Sequence, residues 1–292
     1  MKTLHLVDAS IYIFRAYFSL PESMTGADGN PVNAVYGFAD FLAQLTELGK
    51  GEHFAVAFDE SLTTSFRNEI YPAYKANRDL PPADLAAQLR SCRELADILG
   101  FKTFASDRYE ADDLIGTIAR QLRARDFRMI YVTGDKDLAQ LLKPGDVWWN
   151  FARKERLDRR TVKSKLGVYA HQIVDLLALT GDAVDNIPGV PGIGQKTAGA
   201  LLEYFESLDQ VYGQLDQVPE LPLRGAARAR QQLSKYRDQA YLSRELATIN
   251  EHAPVRCTEA SVRKRDIQPR LLQDFCRRHN FSSRMLRRLQ SL

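Results

Sequence analysis

The sequence predicts an α/β protein: a mainly parallel sheet with helices on both faces, followed by a region of helices alone. Two observations carry this. Short apolar runs alternate with amphipathic ones through the first 180 residues, the β–α rhythm of a parallel sheet. Beyond Thr180 no strand-like run recurs, and a glycine–proline-rich turn (PGVPGIG) divides helical segments. In order, residues 3–7 read as a strand running into Asp8, and residues 33–49 as a helix closing on a glycine. Residues 53–58 form a second strand ending at Asp59, and 85–100 an amphipathic helix stopped by glycine. Residues 102–105 read as a short strand, 112–125 as a helix, and 128–132 as a strand leading into GDKD. Residues 229–250 and the basic end read as helices. Residues 61–82 break the rhythm, with no apolar period but with Arg67, Tyr71, Tyr74, Lys75 and Arg78 interleaved. A chain of 292 residues is near the limit for one core, so the reading is an α/β core with an attached helical region.

With 45% hydrophobic residues the chain can bury a sizeable core. Its net charge of +3 is uneven: residues 256–292 hold ten Lys/Arg against three Asp/Glu, a net +7, so residues 1–255 carry −4. An acidic body and a basic end can hold cations in one place and polyanions in another; the plain alternative is a solvated helical tail. No run approaches the ~20 apolar residues of a membrane span. The N-terminal MKTLHLVDASIYIF meets Asp8 before any long apolar run, so no signal peptide is expected. Three widely spaced cysteines argue against a disulfide framework or a zinc cluster, and no HExxH spacing occurs. A soluble, cytoplasmic protein without a membrane partner is expected.

The carboxylates fall at telling places. Asp8 and Asp59 stand at the carboxyl ends of apolar strands, the edge where open α/β sheets bind ligands. Glu110, Asp112 and Asp113 (YEADD) open a helix, and Asp135 and Asp137 (TGDKD) follow another strand. Asp182 and Asp185 (TGDAVDN) would share a face if that segment is helical. Any one of these reads most simply as a helix cap. Gathered at one edge, nine carboxylates would repel and their pKa values would rise unless cations sat among them. Oxygen-only ligands suit Mg²⁺ or Mn²⁺. Two such ions about 4 Å apart can activate water and stabilise the leaving oxygen of a phosphodiester.

The segments LVDASIYIFRAYF, AVAFDE, SFRNEIYPAYKANR, YEADDLIGTIA, VTGDKDLAQLL and LTGDAVDNIPGVPGIGQKTAGALL, in this order, resemble the flap-endonuclease superfamily over residues 4–250. The resemblance is strongest to its bacterial 5′→3′ exonucleases, including the 5′ nuclease domain of DNA polymerase I. It implies a PIN-like nuclease core at 1–180 with a helical arch around 62–90. A helix–hairpin–helix region follows at 181–255, and a basic helical tail at 256–292 packs on the core. It assigns Asp8, Asp59, Glu110, Asp112 and Asp113 mainly to one metal ion and Asp135, Asp137, Asp182 and Asp185 to a second, with Asp113 open to sharing. Lys75 and Arg78 match basic residues at the scissile phosphate, and Arg15 another active-site base; positive charge there stabilises the developing negative charge. Tyr71 and Tyr74 are placed to stack on unpaired bases beside Arg67, the alternative being an exposed loop with snorkelling aromatics.

GVPGIGQKTA is not a nucleotide loop, because Gln195 separates Gly194 from Lys196 and a helix precedes it. A glycine-rich turn entering a helix leaves N–H groups free for phosphate. The resemblance makes Gly189, Gly192, Gly194, Lys196 and Thr197 a helix–hairpin–helix DNA contact that also binds K⁺; a glycine-stopped helical turn is the alternative. The tail arginines Arg277, Arg278, Arg284, Arg287 and Arg288 would extend the duplex-binding surface. The implied protein is a structure-specific, two-metal 5′ nuclease, a monomer acting on DNA with 5′ flaps, nicks or 5′ ends. Replication or repair proteins are its expected partners. No polymerase segment fits the length, so a stand-alone enzyme is expected. A non-catalytic, K⁺-assisted DNA-binding protein of the same fold is the alternative, as is a PIN-type ribonuclease, which would lack arch and hairpin.

Overall fold

The computed structural model describes residues 2–60 and 64–292. β1 (Lys2–Asp8), α1 (Ala9–Ser19) and α2 (Asn33–Gly49) lead to β2 (His53–Asp59), parallel to β1. α3 (Phe66–Ile70) and α4 (Ala83–Ile98) lead on to β3 (Lys102–Ser106), parallel to β2. α5 (Ala111–Arg123) then carries the chain to β4 (Phe127–Val132) on the far side of β1. A 3-10 turn (Asp137–Leu141), β5 (Val147–Asn150) and the antiparallel β6 (Glu155–Leu157) complete the order β3-β2-β1-β4-β5-β6. β5 and β6 are absent from the sequence reading: in β5 Trp148, Trp149 and Asn150 are buried in succession, so no alternation marks it, and β6 is only three residues long.

The remainder is helical: α6 (Val162–Leu166), α7 (Ile173–Thr180), α8 (Gln195–Phe205), α9 (Leu208–Gly213), α10 (Ala226–Lys235), α11 (Arg237–Ala247), α12 (Glu259–Val262), α13 (Pro269–Arg278) and α14 (Ser283–Gln290). Successive strand side chains point to opposite faces, and two cores result. Leu4, Leu6, Ala55, Met129 and Tyr131 pack with α5, α7, α8 and α11. Val7, Phe54, Val56, Ile130 and Val132 pack with α1, α2, α4, α13 and α14. Helices therefore cover both faces, as the alternation predicted. Of the 62–90 stretch, residues 62 and 63 lie outside the described residues. From Ala83 onward the chain already belongs to α4, whose Leu85 is fully buried.

The amphipathic tail closes the second core through Leu272, Phe275 and Leu289. Part of its positive charge is matched by protein carboxylates: Arg288 binds Asp40 and Glu47 on α2, Arg278 binds Glu94 on α4, and Arg277 binds Asp274. Of the five tail arginines, Arg277, Arg278 and Arg288 are paired within the protein, while Arg284 and Arg287 are exposed. No helix of the described residues is long and apolar enough to cross a membrane.

His5 is a buried, titratable weak point of this core. It stacks on Phe54 with ring centroids 4.8 Å apart, and a Cβ on Gly51 would lie 2.6 Å from its Cε1. Burial pushes its pKa down to about 4. The unfolded chain takes up a proton at about 6.5, so stability is complete above that pH and declines as pH falls toward 4, by about 3 kcal/mol from this group. Urea midpoints at pH 7.5 and 5 should therefore diverge more for the parent than for His5→Leu; equal divergence would remove His5 as the cause.

Candidate active site

The strand order reverses at β1. β2 and β3 lie on one side of it, β4 and β5 on the other, and a crevice opens at the carboxyl ends where the crossovers part. Asp8 ends β1 and Asp59 ends β2. Asp8 Oδ2 accepts a bond from Thr133 Oγ1 at 2.9 Å, and the same hydroxyl accepts from the Asp135 N–H at 2.9 Å. Thr133 thus ties the ends of β1 and β4 together. Trp148 Nε1 holds the Asp135 carbonyl at 2.6 Å, while the Asp59 N–H donates to Ser10 Oγ at 3.0 Å. Asp59 Oδ1 accepts the first N–H of α5, from Ala111, at 2.7 Å. This draws the Glu110–Asp112 corner onto the sheet edge.

Asp182 and Asp185 lie on a tight turn rather than a helix. Asp182 and Ile187 exchange backbone bonds of 2.9 and 2.8 Å, and Asp182 Oδ1 accepts from the N–H groups of Val184 and Asp185. Residues 73–78 are stitched to this turn. The Lys75 N–H donates to the Asp185 carbonyl at 3.0 Å, Asn77 Nδ2 to Ala183 O at 2.8 Å, and Asn186 Nδ2 to Ala73 O at 2.6 Å. Lys75 Nζ lies 2.7 Å from Glu110 Oε2 and 3.8 Å from Asp185 Oδ2; Arg78 pairs with Asp185 Oδ1. Arg15, Arg78, Asp135, Asp137, Asp182 and Asp185 line one cleft. Asn77, Thr133, Trp148 and Asn186 are the site-building residues that sequence reasoning missed. Thr133, Asn77 and Asn186 each had a local signal, lying within two residues of an assigned site residue; Trp148 had none.

The electrostatics follow from burial among like charges. Burial, then Asp59, raises the Asp8 carboxyl to about 7; burial, then Asp135, raises Asp137 to about 8. Asp59, Asp112 and Asp135 are raised chiefly by burial as well. Glu110 is the exception. Burial would raise it, but the charges of Lys75 and Arg67 prevail and hold it below its ordinary value. Glu110 Oε1 and Asp137 Oδ1 are buried without a hydrogen-bond partner. Unpartnered buried oxygens and strained carboxylates are what a divalent cation would relieve, so this donor set fits one. Among the described residues no three carboxylates close on a single point; Asp135, Asp137, Asp182 and Asp185 line the cleft.

Five residues assigned from sequence stand elsewhere or are turned into the protein. Asp113 is fully buried and takes both terminal nitrogens of Arg67, each at 2.8 Å, so it faces Arg67 rather than the crevice. Arg67 is only 3% exposed and out of reach of DNA, because its remaining donors serve Leu246 O and Thr248 O. Tyr74 is 3% exposed with its hydroxyl 3.2 Å from both Glu110 Oε2 and Asp185 Oδ2, so its ring cannot stack on a base. Tyr71 is half-buried against the first core. Gly189 is buried, donates to Ser243 Oγ at 3.0 Å and accepts from Gln239 Nε2 at 2.6 Å. Its φ of +61° and a virtual Cβ 2.1 Å from Gly181 N make it a backbone crossing, with no N–H left for phosphate. Gly192, Gly194 and Lys196 are exposed, Thr197 is half-buried, and α8 begins after Gly194 without a side-chain cap. That helix start remains open to an anion.

Fold and site together define a doubly wound α/β protein with a carboxylate-rimmed crevice at its switch point. Two family models match the chain: 5′-3′ exonuclease, N-terminal resolvase-like domain, over residues 3–167, and 5′-3′ exonuclease, C-terminal SAM fold, over residues 168–270. The chain belongs to the 5′-3′ exonuclease family. It is 44% identical over 247 residues to DNA polymerase I of Pseudomonas aeruginosa, covering 84% of this chain and 27% of that protein. It therefore spans about a quarter of the polymerase relative's length. It is 32% identical over 281 residues to the 5′-3′ exonuclease of Buchnera aphidicola subsp. Schizaphis graminum, covering 96% of this chain and 98% of that protein. Among solved structures, T5 5′-exonuclease with bound divalent ions (zinc) superposes with a TM-score of 0.69 at 20% identity, covering 99% and 97% of the two chains. The catalytic core of Rad2 in complex with DNA substrate gives 0.63 at 17%, covering 99% and 92%. At these identities both likenesses speak for the fold.

Proposed function

We propose that the protein is a divalent-metal-dependent 5′ nuclease that degrades DNA from 5′ ends and cuts 5′ flaps at the junction with duplex. One observation carries this reading: Asp135, Asp137, Asp182 and Asp185 line one cleft with Arg15 and Arg78, and behind them Asp8, Asp59, Glu110 and Asp112 repel one another and Asp135 at close range, with Lys75 bound to Glu110. These eight would hold Mg²⁺ or Mn²⁺, ions suited to oxygen ligands, which supply Lewis-acid charge for phosphodiester hydrolysis. Lys75 and Arg78 orient the scissile phosphate and oppose its developing charge. The open start of α8, with Lys196, holds a phosphate of the duplex and fixes its register without reading sequence. Residues 181–255 thus act as the duplex-holding region beside the nuclease core, and the exposed, glycine-lined turn before α8 is assigned K⁺. The setting is the cytoplasm, as a monomer, in replication and repair.

With Mg²⁺ and a 5′-flapped duplex, the protein should release the flap and should act less on blunt duplex; no cleavage with either Mg²⁺ or Mn²⁺ would end the enzyme reading. Lys196→Ala should weaken duplex binding and lower the slope of log affinity against log salt by about 1. Replacing K⁺ by Li⁺ should weaken binding of the parent as well. An unchanged salt slope would place the duplex elsewhere.

A further inference from the structure

Asp113 carries a disagreement between residue pattern and geometry. Its two oxygens offer about four acceptor positions, and all are used. Oδ1 accepts from Arg67 Nη2 and the Asn250 N–H, both at 2.8 Å; Oδ2 accepts from Arg67 Nη1 at 2.8 Å and the Glu110 N–H at 3.1 Å. Nothing is left to ligate a cation, and the side chain is fully buried. Arg67 adds bonds to Leu246 O at 2.8 Å and Thr248 O at 2.9 Å, while its Nη1 lies 4.0 Å from Glu110 Oε2.

We propose that Arg67 and Asp113 are a positioning pair, not a DNA contact and a metal ligand: together they fix Glu110 and the 66–78 segment against the end of α11. Three parts of the protein meet in this pair. Arg67 belongs to α3, which leads directly into Tyr74, Lys75 and Arg78. Asp113 closes the first turn of α5 back onto Glu110, so the carboxylate facing Lys75 is set by the Asp113 bond to its backbone. Leu246, Thr248 and Asn250 lie in the stretch matched by the C-terminal family model, whereas Arg67 and Asp113 lie in the N-terminal one. A bidentate pair fixes direction as well as distance, and removal of one partner strands a buried charge. Its loss should displace Glu110 and Lys75 together while leaving the other crevice carboxylates in place.

This inference rests on the nuclease reading for its kinetic arm only. The experiment compares the parent with Asp113→Asn, Arg67→Lys and the apolar pair Arg67→Met/Asp113→Leu, which keeps the full chain folded should a lone charge prevent it. Calorimetric titration with Mn²⁺ should give the parent's number of bound ions in Asp113→Asn and Arg67→Lys, with weaker affinity in the apolar pair where Glu110 moves. Loss of one ion in both Asp113→Asn and the apolar pair, with the full count kept in Arg67→Lys, would make Asp113 a ligand and overturn the proposal. On a 5′-flap substrate, kcat should fall about 10–100-fold in the apolar pair with KM within twofold, since misplacing a reacting group by about 1 Å has that effect. Arg67→Lys should recover part of the loss relative to Arg67→Met/Asp113→Leu. An unchanged kcat in a folded apolar pair would leave the residues a merely structural role. A parent that cuts no flap would sink the nuclease reading, and the Mn²⁺ count would still decide whether Asp113 is a ligand.

Discussion

Replacing Asp135 or Asp182 by Ala should slow flap cleavage by about 10²–10³-fold or more, the range seen when one preorganised charge-stabilising group is removed, while duplex binding stays at least as tight. Asp135 sits among like charges, its carboxyl raised by burial and by Asp185. Removal of one negative group therefore eases the approach of a polyanion even as it weakens cation binding. The two positions differ in a checkable way. Asp182 Oδ1 also caps its own turn through the Val184 N–H at 2.7 Å. Asp182→Asn keeps that acceptor and loses only charge, so it should be as slow as Asp182→Ala but melt closer to the parent. Single-turnover rates with Mg²⁺, and binding measured with Ca²⁺ in its place, separate these effects. Loss of binding together with cleavage would assign both residues to the fold instead.

The legible part of this site was the part encoded locally. Asp8 and Asp59 end runs whose alternate residues fill two opposite cores, so the hydrophobic pattern alone places them at the sheet edge. The strand order that turns this edge into a crevice was not legible, because which strand lies beside β1 is settled by packing far along the chain. The same holds for partners. A carboxylate in YEADD reads alike whether it faces solvent, a cation or an arginine, and Asp113 meets Arg67 from 46 residues away. Tyr74 and Arg67 looked like loop residues because the 61–82 stretch has no apolar period. Their burial comes from the 182–187 turn and the end of α11, which close over them from the other half of the chain. Gly189 misled for a different reason: glycine marks both an exposed anion-binding turn and a crossing of two backbones, and here Gly181 passes against it.

Lys75→Met should lower the flap-cleavage rate by about 10²–10³-fold and move the acid limb of the rate profile to higher pH. Burial alone would lower the Lys75 pKa, but Glu110, Asp185 and Asp59 outweigh it and raise it, so the side chain is a cation at neutral pH. That charge, 2.7 Å from Glu110 Oε2, is the larger of the two that hold the Glu110 carboxyl below its ordinary value. Without it, Arg67 remains at 4.0 Å but burial gains ground, so Glu110 keeps its proton to a higher pH. At any mildly acidic pH a smaller fraction is then ionised and able to act as a ligand, and the limb shifts upward. Lys75→Arg keeps the charge and should hold the limb in place even where geometry costs rate. Lys75 also takes a left-handed backbone, φ +53°, which a Met or an Arg tolerates no better and no worse, so the comparison is free of that strain. The two readouts judge separate claims: an unshifted limb in Lys75→Met would free Glu110 from Lys75, and an unchanged rate would remove Lys75 from the phosphate.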